Sequence, residues 1–463
     1  MLRNLLGEGT LSASMVPIYS EFLEQGKKEE ANRFAGAVLG LLTVVSAAVV
    51  LLGELVAPLL VSLFFPLWSP EKQEITTTLV RILLPMSGIL VISAWAIGVL
   101  DSHRRFFVSY VAPAFWNISV ITALVAGGIY WGLDQPDLVA VLAWGALIGG
   151  GAQLAVQVPF VLRLVGRVHP SLGRGVEGVP EVIRNFTPVV VARGVVNLSG
   201  WFEIFLAGLL ADGAVAVMGY AQTFYVLPIS LFGISVAASE LPELSRMRGE
   251  DREVLAARVA AALKRVSYFV IPSAIGYLLM GDVLIAALYE TGQFGAAETL
   301  VSWGVLGAFA LGLPASASSR SLSSTFYALR DTKTPARIAY VRVAVSLVIG
   351  VAAMVPLDQY GFSGLRLGAA GLAIGASCAA WLEFVMLRRA LASKIGAHGP
   401  GVGPIVRLTL AASLAAALGV TLQQVLPPAQ PWLVALETLV PFGVLYLAAT
   451  ALLGQGIKLR RST

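Results

Sequence analysis

Long apolar runs separated by short polar connections dominate this chain of 463 residues. Most runs have about 20 residues or more, the length of α-helix that crosses a bilayer. Because lipid offers the backbone no hydrogen-bond partners, each run is predicted to be helical. Glycine, proline and charged residues at the boundaries predict thirteen spans, at 2–23, 34–66, 78–100, 107–132, 138–163, 186–211, 214–243, 266–289, 299–328, 338–357, 364–387, 405–426 and 432–454.

Composition supports an all-α integral membrane protein. The chain is 57% hydrophobic and 13% charged, whereas soluble domains carry roughly 25% charged residues. The alternative, a large soluble helical protein, would need one core to absorb every apolar run.

Few residues are available for covalent chemistry. Cys378 is the only cysteine, which excludes an intrachain disulfide, and we expect a buried, inert thiol. The three histidines lie beside basic connections and cannot form a metal cluster. We find no phosphate-binding loop and no nucleophile–base set. The sequence therefore predicts no catalytic residue, no metal and no cofactor, and a protein that is not an enzyme.

Basic residues alternate along the chain. Every second connection is basic, and these connections together with the C-terminal tail hold 26 of the 32 lysines and arginines. This bias predicts that those connections and the C-terminus are cytoplasmic. The net charge of +5 is thereby explained without a nucleic-acid partner. The same count places residue 1 outside, from which we expect that one N-terminal crossing precedes this chain.

Two parts of the chain resemble each other at an offset of about 225–230 residues. "VPIYSEFLEQGKKEEANRFAGAVL" from Val16 is echoed by "LPELSRMRGEDREVLAARVAAAL" from Leu241. "VLDSHRRFFVSYVAPAF" from Val99 is echoed by "ALRDTKTPARIAYVRVAV" from Ala328, and "GELVAPLL" and "GDVLIAAL" lie between in the same order. Six spans per repeat predict two lobes related by a pseudo-two-fold axis along the membrane normal.

Several motifs resemble those of the MurJ/MviN lipid II flippases, a family of the MOP exporter superfamily. These are "LRNLLGEGTLSASMVPIYSEF", "RRFFVSYVAPAFWNISVI", "LYETGQFGAAET" and "STFYALRDTKTPARIA", in the family's order along nearly the whole chain. The resemblance implies fourteen helices, of which this chain would lack the first. It also implies a central cavity and alternating access. The expected divisions are an N-terminal lobe (1–165), a cytoplasmic linker (166–185), a C-terminal lobe (186–393) and a helix pair lining a lipid-tail groove (394–463).

The implied function is movement of lipid II, the undecaprenyl-linked peptidoglycan precursor, from the inner to the outer leaflet of the bacterial cytoplasmic membrane. Its expected partners are lipid II, membrane lipids and cell-wall synthesis proteins. Three alternatives stay open: a polysaccharide-lipid flippase of the Wzx kind, a MATE-type multidrug or cation antiporter, and a non-transporting cell-wall scaffold.

Charged residues inside the spans are the candidate substrate-binding residues, because a charge in hydrocarbon is costly without a role or a partner. Arginine suits a pyrophosphate because its planar fork makes bidentate hydrogen bonds. By resemblance, Arg3 and Arg320 match basic cavity positions of the family, and Asn197 and Glu203 match polar ones. The candidates are Arg3, Glu8, Arg193, Asn197, Glu203 and Arg320.

Further expectations concern the surroundings of these candidates. Serines on both sides of Arg320 predict a hydrophilic, cavity-like face. Glu240 and Glu243 are expected to be interfacial acids, and Glu383 to be solvated or paired with Arg388.

The chain departs from the family at two places. Thr223 and Val226 stand where the family's eighth helix usually carries an arginine and a glutamate, and Arg193 is a hypothetical substitute for the lost cation. The segment "YVRVAVSLVI" lacks the asparagine–aspartate pair proposed for sodium binding in some members, which puts sodium coupling in doubt.

Overall fold

The structure, a computed structural model, divides the chain into two compact units, unit 1 (1–201) and unit 2 (202–463). It describes residues 14–166, 168–247, 251–292, 294–362, 365–425 and 430–455, with all their side chains except those of 185–199, 242 and 245. Fourteen α-helices occur in these ranges, and eleven spans are long and apolar enough to cross a membrane.

Unit 1 is built from six helices, the last of which continues past its boundary at Trp201. A π-helical turn over Ala126–Tyr130 extends the fourth helix. The helices are α1 (Val16–Glu24), α2 (Lys28–Phe64), α3 (Pro70–Ser102), α4 (Phe106–Val125), α5 (Gln135–Val165) and α6 (Val179–Gly208).

Local sequence explains where α3 and α5 begin. The Ser69 hydroxyl accepts a hydrogen bond from the Lys72 backbone N–H, and the Asp134 carboxylate accepts one from the Asp137 N–H. A proline follows each cap within the first turn, where its missing N–H costs nothing. α5 ends at Val165, and the next residue, Gly166, has a φ of 73°, a positive value that glycine adopts without strain.

Polar side chains buried in unit 1 join α3 to its neighbours. The Ser93 hydroxyl donates to the Gln157 side-chain carbonyl at 2.8 Å and accepts from the Gln153 amide at 2.9 Å. The Trp95 indole N–H donates to the Ala35 carbonyl of α2 at 3.0 Å. Such interhelical hydrogen bonds hold helices together where lipid and core are equally apolar.

The segment after α5 lies flat on α2 because two glycines leave room for it. A Cβ at Gly36 would meet the His169 carbonyl, and one at Gly40 would meet the Ser171 backbone. The Ser171 N–H donates to the Gly36 carbonyl at 3.3 Å. The start of the predicted linker is therefore fixed to unit 1.

Unit 2 contains eight further helices, with a π-helical turn over Ile229–Ile234 joining the first two into one span. A hairpin of two short strands, β1 (Gly361–Phe362) and β2 (Leu365–Arg366), connects α11 to α12. The helices are α7 (Ala214–Pro228), α8 (Ser235–Arg246), α9 (Arg252–Tyr289), α10 (Ala296–Ala328), α11 (Lys333–Leu357), α12 (Gly368–Ile395), α13 (Val402–Val425) and α14 (Pro431–Leu452).

Close helix packing in unit 2 depends on small residues of α12. A Cβ at Gly375 would lie 2.5 Å from the Gly350 nitrogen, and one at Gly371 would meet the Met354 backbone of α11. On the other side of α12, the Ser377 hydroxyl donates to the Ala308 carbonyl of α10 at 2.6 Å. Small residues spaced four apart permit this approach of helix backbones.

The helix lengths agree with the predicted internal repeat. α2 and α9 have 37 and 38 residues, and α3 and α10 have 33 each. α4 with its π-turn and α11 have 25 each.

The backbone repeats in finer detail where α3 and α10 end. Arg104 and Arg330 are the two non-glycine residues with positive φ in the described chain, at 58° and 61°, and they are 226 positions apart. Each follows its helix in the same Schellman arrangement of backbone hydrogen bonds. After α3, the Arg104 N–H donates to the Asp101 carbonyl and the Arg105 N–H to the Leu100 carbonyl. After α10, the Arg330 N–H donates to the Tyr327 carbonyl and the Asp331 N–H to the Phe326 carbonyl.

The predicted fold class is therefore confirmed, and each predicted span overlaps a helix, although the first lies largely outside the described residues. One expectation about packing is wrong. Cys378 is exposed on the surface of unit 2, not buried. Lipid-facing and core-facing surfaces are equally apolar in a membrane protein, so an apolar run does not indicate which way its thiol points.

Candidate functional site

The six predicted binding residues are described to different extents. Arg3 and Glu8 lie outside the described residues, as do the side chains of Arg193 and Asn197 on α6. Glu203 is half-buried near the end of α6, and Arg320 is exposed on α10.

Arg320 is a charged group well inside a membrane-spanning helix. It lies eight residues before the end of α10, about 12 Å along the helix axis. Within the described part of the chain, no ion pair or hydrogen bond engages its guanidinium. Because a guanidinium at such a depth needs water or an anion, the exposed surface around Arg320 is suited to a charged ligand.

A second arginine, which was not among the predicted binding residues, lies inside unit 2. Arg342 is nine residues into α11, about 14 Å from its start. Its Nη1 donates to Oε2 of Glu383 on α12 at 2.7 Å. The side chains are 27% and 11% exposed, so the pair is largely withdrawn from solvent.

This pair corrects the expectation for Glu383. Its partner is Arg342, while Arg388 donates to the His398 carbonyl at 3.2 Å. Arg388 is close to Glu383 in sequence, but antiparallel packing of α11 against α12 brings the more distant arginine within reach.

Glu203 and Tyr225 connect the two arginines into one cluster. Glu203 interacts electrostatically with Arg342, and the Tyr225 hydroxyl interacts with both arginines and with Glu203. Tyr225 is buried and its hydroxyl lies 2.6 Å from that of Ser316 on α10. We name this set, Glu203, Tyr225, Arg320, Arg342 and Glu383, the charged cluster; its formal charges cancel.

The serines around Arg320 do not form the hydrophilic face that was expected. Their side chains pack into unit 2: Ser316 contacts Tyr225, and the Ser324 hydroxyl donates to the Ala237 carbonyl at 2.9 Å. Serine provides a small side chain as well as a polar one, and here it permits helix contact. The buried serines are Ser316, Ser318, Ser319, Ser321 and Ser324.

The two positions that depart from the family lie on the surface of α7. The Thr223 hydroxyl donates to the Gly219 carbonyl of its own helix at 3.0 Å, and Val226 is half-exposed. Neither side chain is committed to the core of unit 2.

The acids at the end of α8 belong to a separate network. Glu240 accepts from Arg258 at 2.7 Å and from Arg265 at 3.2 Å, so it joins α8 to α9. Glu243 pairs with Arg246 at 3.3 Å. These contacts give both acids a structural role at the helix ends.

The chemistry of the charged cluster suits recognition of an anion. Two guanidiniums are present, one already paired and one exposed. No group of histidine, cysteine, aspartate and glutamate with the geometry of a metal site occurs among the described residues.

Comparison with known proteins identifies the family. The family model described as "Lipid II flippase MurJ" matches residues 1–440. The chain belongs to the MurJ family. A probable lipid II flippase MurJ of Rhizobium tropici is 30% identical over 394 residues, covering 84% of this chain and 71% of the relative. Another MurJ, of Burkholderia cenocepacia, is 28% identical, covering 87% and 77%.

Solved structures support the fold. A MurJ lipid II flippase in an inward closed conformation matches with a TM-score of 0.76 at 21% identity, covering 98% of this chain and 89% of that one. An inward-facing MATE multidrug transporter of the MOP superfamily matches with a TM-score of 0.68 at 18% identity, covering 85% and 88%. MurJ and MATE proteins therefore share this architecture, and the resemblance to MurJ deduced from motifs is confirmed.

Proposed function

We propose that this protein is a lipid II flippase that carries the undecaprenyl-linked peptidoglycan precursor from the inner to the outer leaflet by alternating access. Membership of the MurJ family over residues 1–440 supports the substrate. The proposed binding site rests on Arg320. Its guanidinium is exposed within a spanning helix and has no ion pair among the described residues. The protein needs no covalent chemistry for this task.

Arg320 is the proposed contact to the pyrophosphate. A guanidinium forms bidentate, charge-assisted hydrogen bonds with phosphate oxygens, roughly twice as strong as neutral ones. Arg342 is already bonded to Glu383, so its role is to position the other members of the cluster. Glu203 then limits the attraction, which allows the cargo to leave.

Other residues complete the proposed site by resemblance. Arg3 is the proposed second cation of the cavity, with Glu8 close to it in sequence. Arg193 and Asn197 lie one helical turn apart on α6 and share a face. Arg193 is our candidate to replace the cation missing at Thr223, while Val226 stands in place of the family's glutamate.

The arrangement in the membrane is part of the proposal. The proposed divisions are two lobes at 1–165 and 186–393, a linker at 166–185 and a helix pair at 394–463. In this arrangement the head group and the lipid tail would cross the membrane along separate routes. The positive-inside bias supports a cytoplasmic C-terminus in a bacterial inner membrane. Membrane potential or an ion gradient would supply energy, and cell-wall synthesis proteins are candidate partners.

Complementation tests the function. The gene is expressed in cells depleted of their own lipid II flippase, and lipid II in the outer leaflet is measured by accessibility to an external probe. We expect growth and outer-leaflet lipid II to be restored. Stable membrane expression without restoration would refute transport and favour a scaffold. If the gene instead complemented the loss of a polysaccharide-lipid flippase or of a multidrug exporter, the corresponding alternative would be favoured.

Variants test the site in the same assay. Arg320→Ala should reduce flipping at least ten-fold, and Arg320→Lys should retain part of it, because lysine keeps the charge and loses the fork. The control is Arg366→Gln, which removes an exposed arginine of β2 paired with Asp358 at 3.4 Å. Equal activity of Arg320→Ala and Arg366→Gln would exclude Arg320 from binding.

A further inference from the structure

A basic cavity of about 500 Å³ lies in unit 1, outside the charged cluster. It forms where the α1–α2 turn, the α3–α4 turn and the end of α5 meet. The charge distribution assigns this end of the unit to the cytoplasm. The lining residues that matter for binding are Lys28, Asn32, His103, Arg104 and Arg163.

The cavity carries an uncompensated positive charge. Lys28, Arg104 and Arg163 line it, and no carboxylate does. Within the described residues, none of these three cations takes part in an ion pair. Burial, together with the charges of Arg105 and Lys28, lowers the pKa of the His103 imidazole. Burial is the larger cause, and the two neighbouring cations act in the same direction.

The walls of the cavity are held in place by partly buried hydrogen bonds. The Tyr19 hydroxyl lies 3.0 Å from His103 Nε2, and Tyr19 is 0% exposed. The Asn32 amide donates to the Val165 carbonyl at 2.9 Å, which joins α2 to the end of α5. The cations are thus presented by a preformed frame, which lowers the cost of binding.

Arg104 occupies a position that glycine would fill with less strain. A residue at positive φ after a helix is usually glycine, because a Cβ crowds the following carbonyl oxygen there. Its equivalent in unit 2, Arg330, has the same conformation, but the adjacent Asp331 pairs with Lys394 at 2.9 Å. In unit 1 the residue at the position of Asp331 is Arg105, so a second cation stands where unit 2 has the acid.

We propose that this cavity binds the phosphate head group of an anionic glycerophospholipid of the surrounding leaflet. Basic pockets between membrane-spanning helices on the cytoplasmic side are suited to such head groups. Phe106 and Phe107 follow the basic turn and are 49% and 80% exposed, and Tyr110 is 78% exposed. Tyrosine at this level is typical of the membrane interface, and the exposed phenylalanines beside it add apolar surface, which favours a lipid over a soluble phosphate.

Binding is tested with the full chain purified in neutral detergent. Short-chain phosphatidylglycerol is titrated and binding is followed by native mass spectrometry, with phosphatidylcholine as the zwitterionic comparison. We expect saturable binding of phosphatidylglycerol that weakens with added salt, and markedly weaker binding of phosphatidylcholine. Equal affinity for the two lipids would overturn the proposal.

The matched variants are Arg104→Gly and Arg330→Gly. Both place glycine at the same left-handed position, so both turns should fold at least as well as in the parent protein. Arg104→Gly should weaken phosphatidylglycerol binding about five-fold, as should Lys28→Gln, since each cation near the surface contributes on the order of a five-fold effect. Arg330→Gly should leave affinity unchanged. Equal affinities of Arg104→Gly and Arg330→Gly would overturn the site.

Inorganic phosphate and pyrophosphate distinguish the source of the ligand. We expect neither to displace phosphatidylglycerol at millimolar concentration. Full displacement would mean that the cavity serves a soluble anion, and the lipid assignment would be wrong. Because the readout is lipid affinity, these outcomes are independent of whether the protein flips lipid II.

Discussion

Arg342 and Glu383 form the ion pair on which the charged cluster depends, at 2.7 Å and largely withdrawn from solvent. Removing one partner of a buried pair leaves an uncompensated charge, which typically costs 3–5 kcal/mol. Arg342→Ala should therefore lower the free energy of unfolding by about 3 kcal/mol, measured by unfolding of the purified protein in sodium dodecyl sulfate.

The control for this prediction is the exposed pair of Arg366 and Asp358. An exposed pair contributes about 0–1 kcal/mol, so Arg366→Gln should change little. The double variant Arg342→Leu/Glu383→Leu should recover much of the loss seen in Arg342→Ala. A cost for Arg342→Ala no greater than that of Arg366→Gln would mean that the pair contributes no stability.

His398 makes stability depend on pH. Burial lowers the pKa of its imidazole below the usual 6.5; the hydrogen bond to the Gly396 carbonyl raises it and the charge of Arg388 lowers it. Above pH 6.5 the imidazole is neutral in both states. As the pH falls below 6.5 the unfolded chain takes up a proton more readily, so the free energy of unfolding falls until the folded pKa is passed.

We therefore expect His398→Asn to flatten the fall in thermal stability between about pH 7 and pH 5. Asparagine retains an N–H that reaches the Gly396 carbonyl and does not titrate. His169→Asn, at an exposed position of unit 1, should keep the parent slope. Parallel pH curves for the parent and His398→Asn would rule out this histidine as the cause.

Residue environments could be predicted only in part. The charged candidates Glu203 and Arg320 were visible as rare polar residues within apolar runs. Arg342 was missed because it lies close to a basic connection in sequence. The serines of α10 were expected to form a hydrophilic face because they are polar, but they are also small enough to pack between helices. The sequence pattern could not predict whether Cys378 is buried or exposed, because lipid and the protein core are similar in hydrophobicity.

At the scale of elements, the contact between α11 and α12 is governed by Gly375. A Cβ there would lie 2.5 Å from the Gly350 nitrogen, and backbone atoms cannot move aside as a flexible side chain can. Gly375→Ala should separate the two helices and lower thermal stability, with a further loss of flipping because Arg342 and Glu383 stand on these helices.

Gly443 of α14 provides the comparison. No atom lies within 4 Å of a Cβ built there, so Gly443→Ala should be neutral or stabilise the helix by up to about 1 kcal/mol. The measurement is the melting temperature of both variants in the same detergent. A Gly375→Ala protein as stable as Gly443→Ala would show that the crossing tolerates a wider separation.

The apolar runs predicted which segments form helices, but they did not predict where each helix begins and ends. α9 begins at Arg252, fourteen residues before the predicted span, because its alanine- and arginine-rich start is a good helix former that continues outside the hydrocarbon. α9 is kinked at Met280, and the part before the kink, about 42 Å long, already exceeds the roughly 30 Å of bilayer hydrocarbon. Hydrophobicity marks the part of a helix within lipid, not the whole helix.

At the scale of the whole molecule, the charged cluster bears on energy coupling. Two carboxylates, Glu203 and Glu383, are matched in formal charge by two guanidiniums of the protein, Arg320 and Arg342, and Glu383 pairs directly with Arg342. They therefore have little need of a mobile cation for charge balance. We expect flipping by the reconstituted protein to change less than two-fold when sodium is replaced by choline; a ten-fold fall would show that sodium binds elsewhere.

The exposed position of Cys378 gives this protein a built-in reporter. It is the only thiol in the chain, so any thiol-specific label attaches at one site of the unmodified sequence. Maleimides react with the thiolate, which forms in water and not in hydrocarbon. The rate of labelling by a water-soluble maleimide therefore shows whether that surface of α12 faces lipid or an aqueous space. A change in this rate when cargo is added would report a rearrangement of α12.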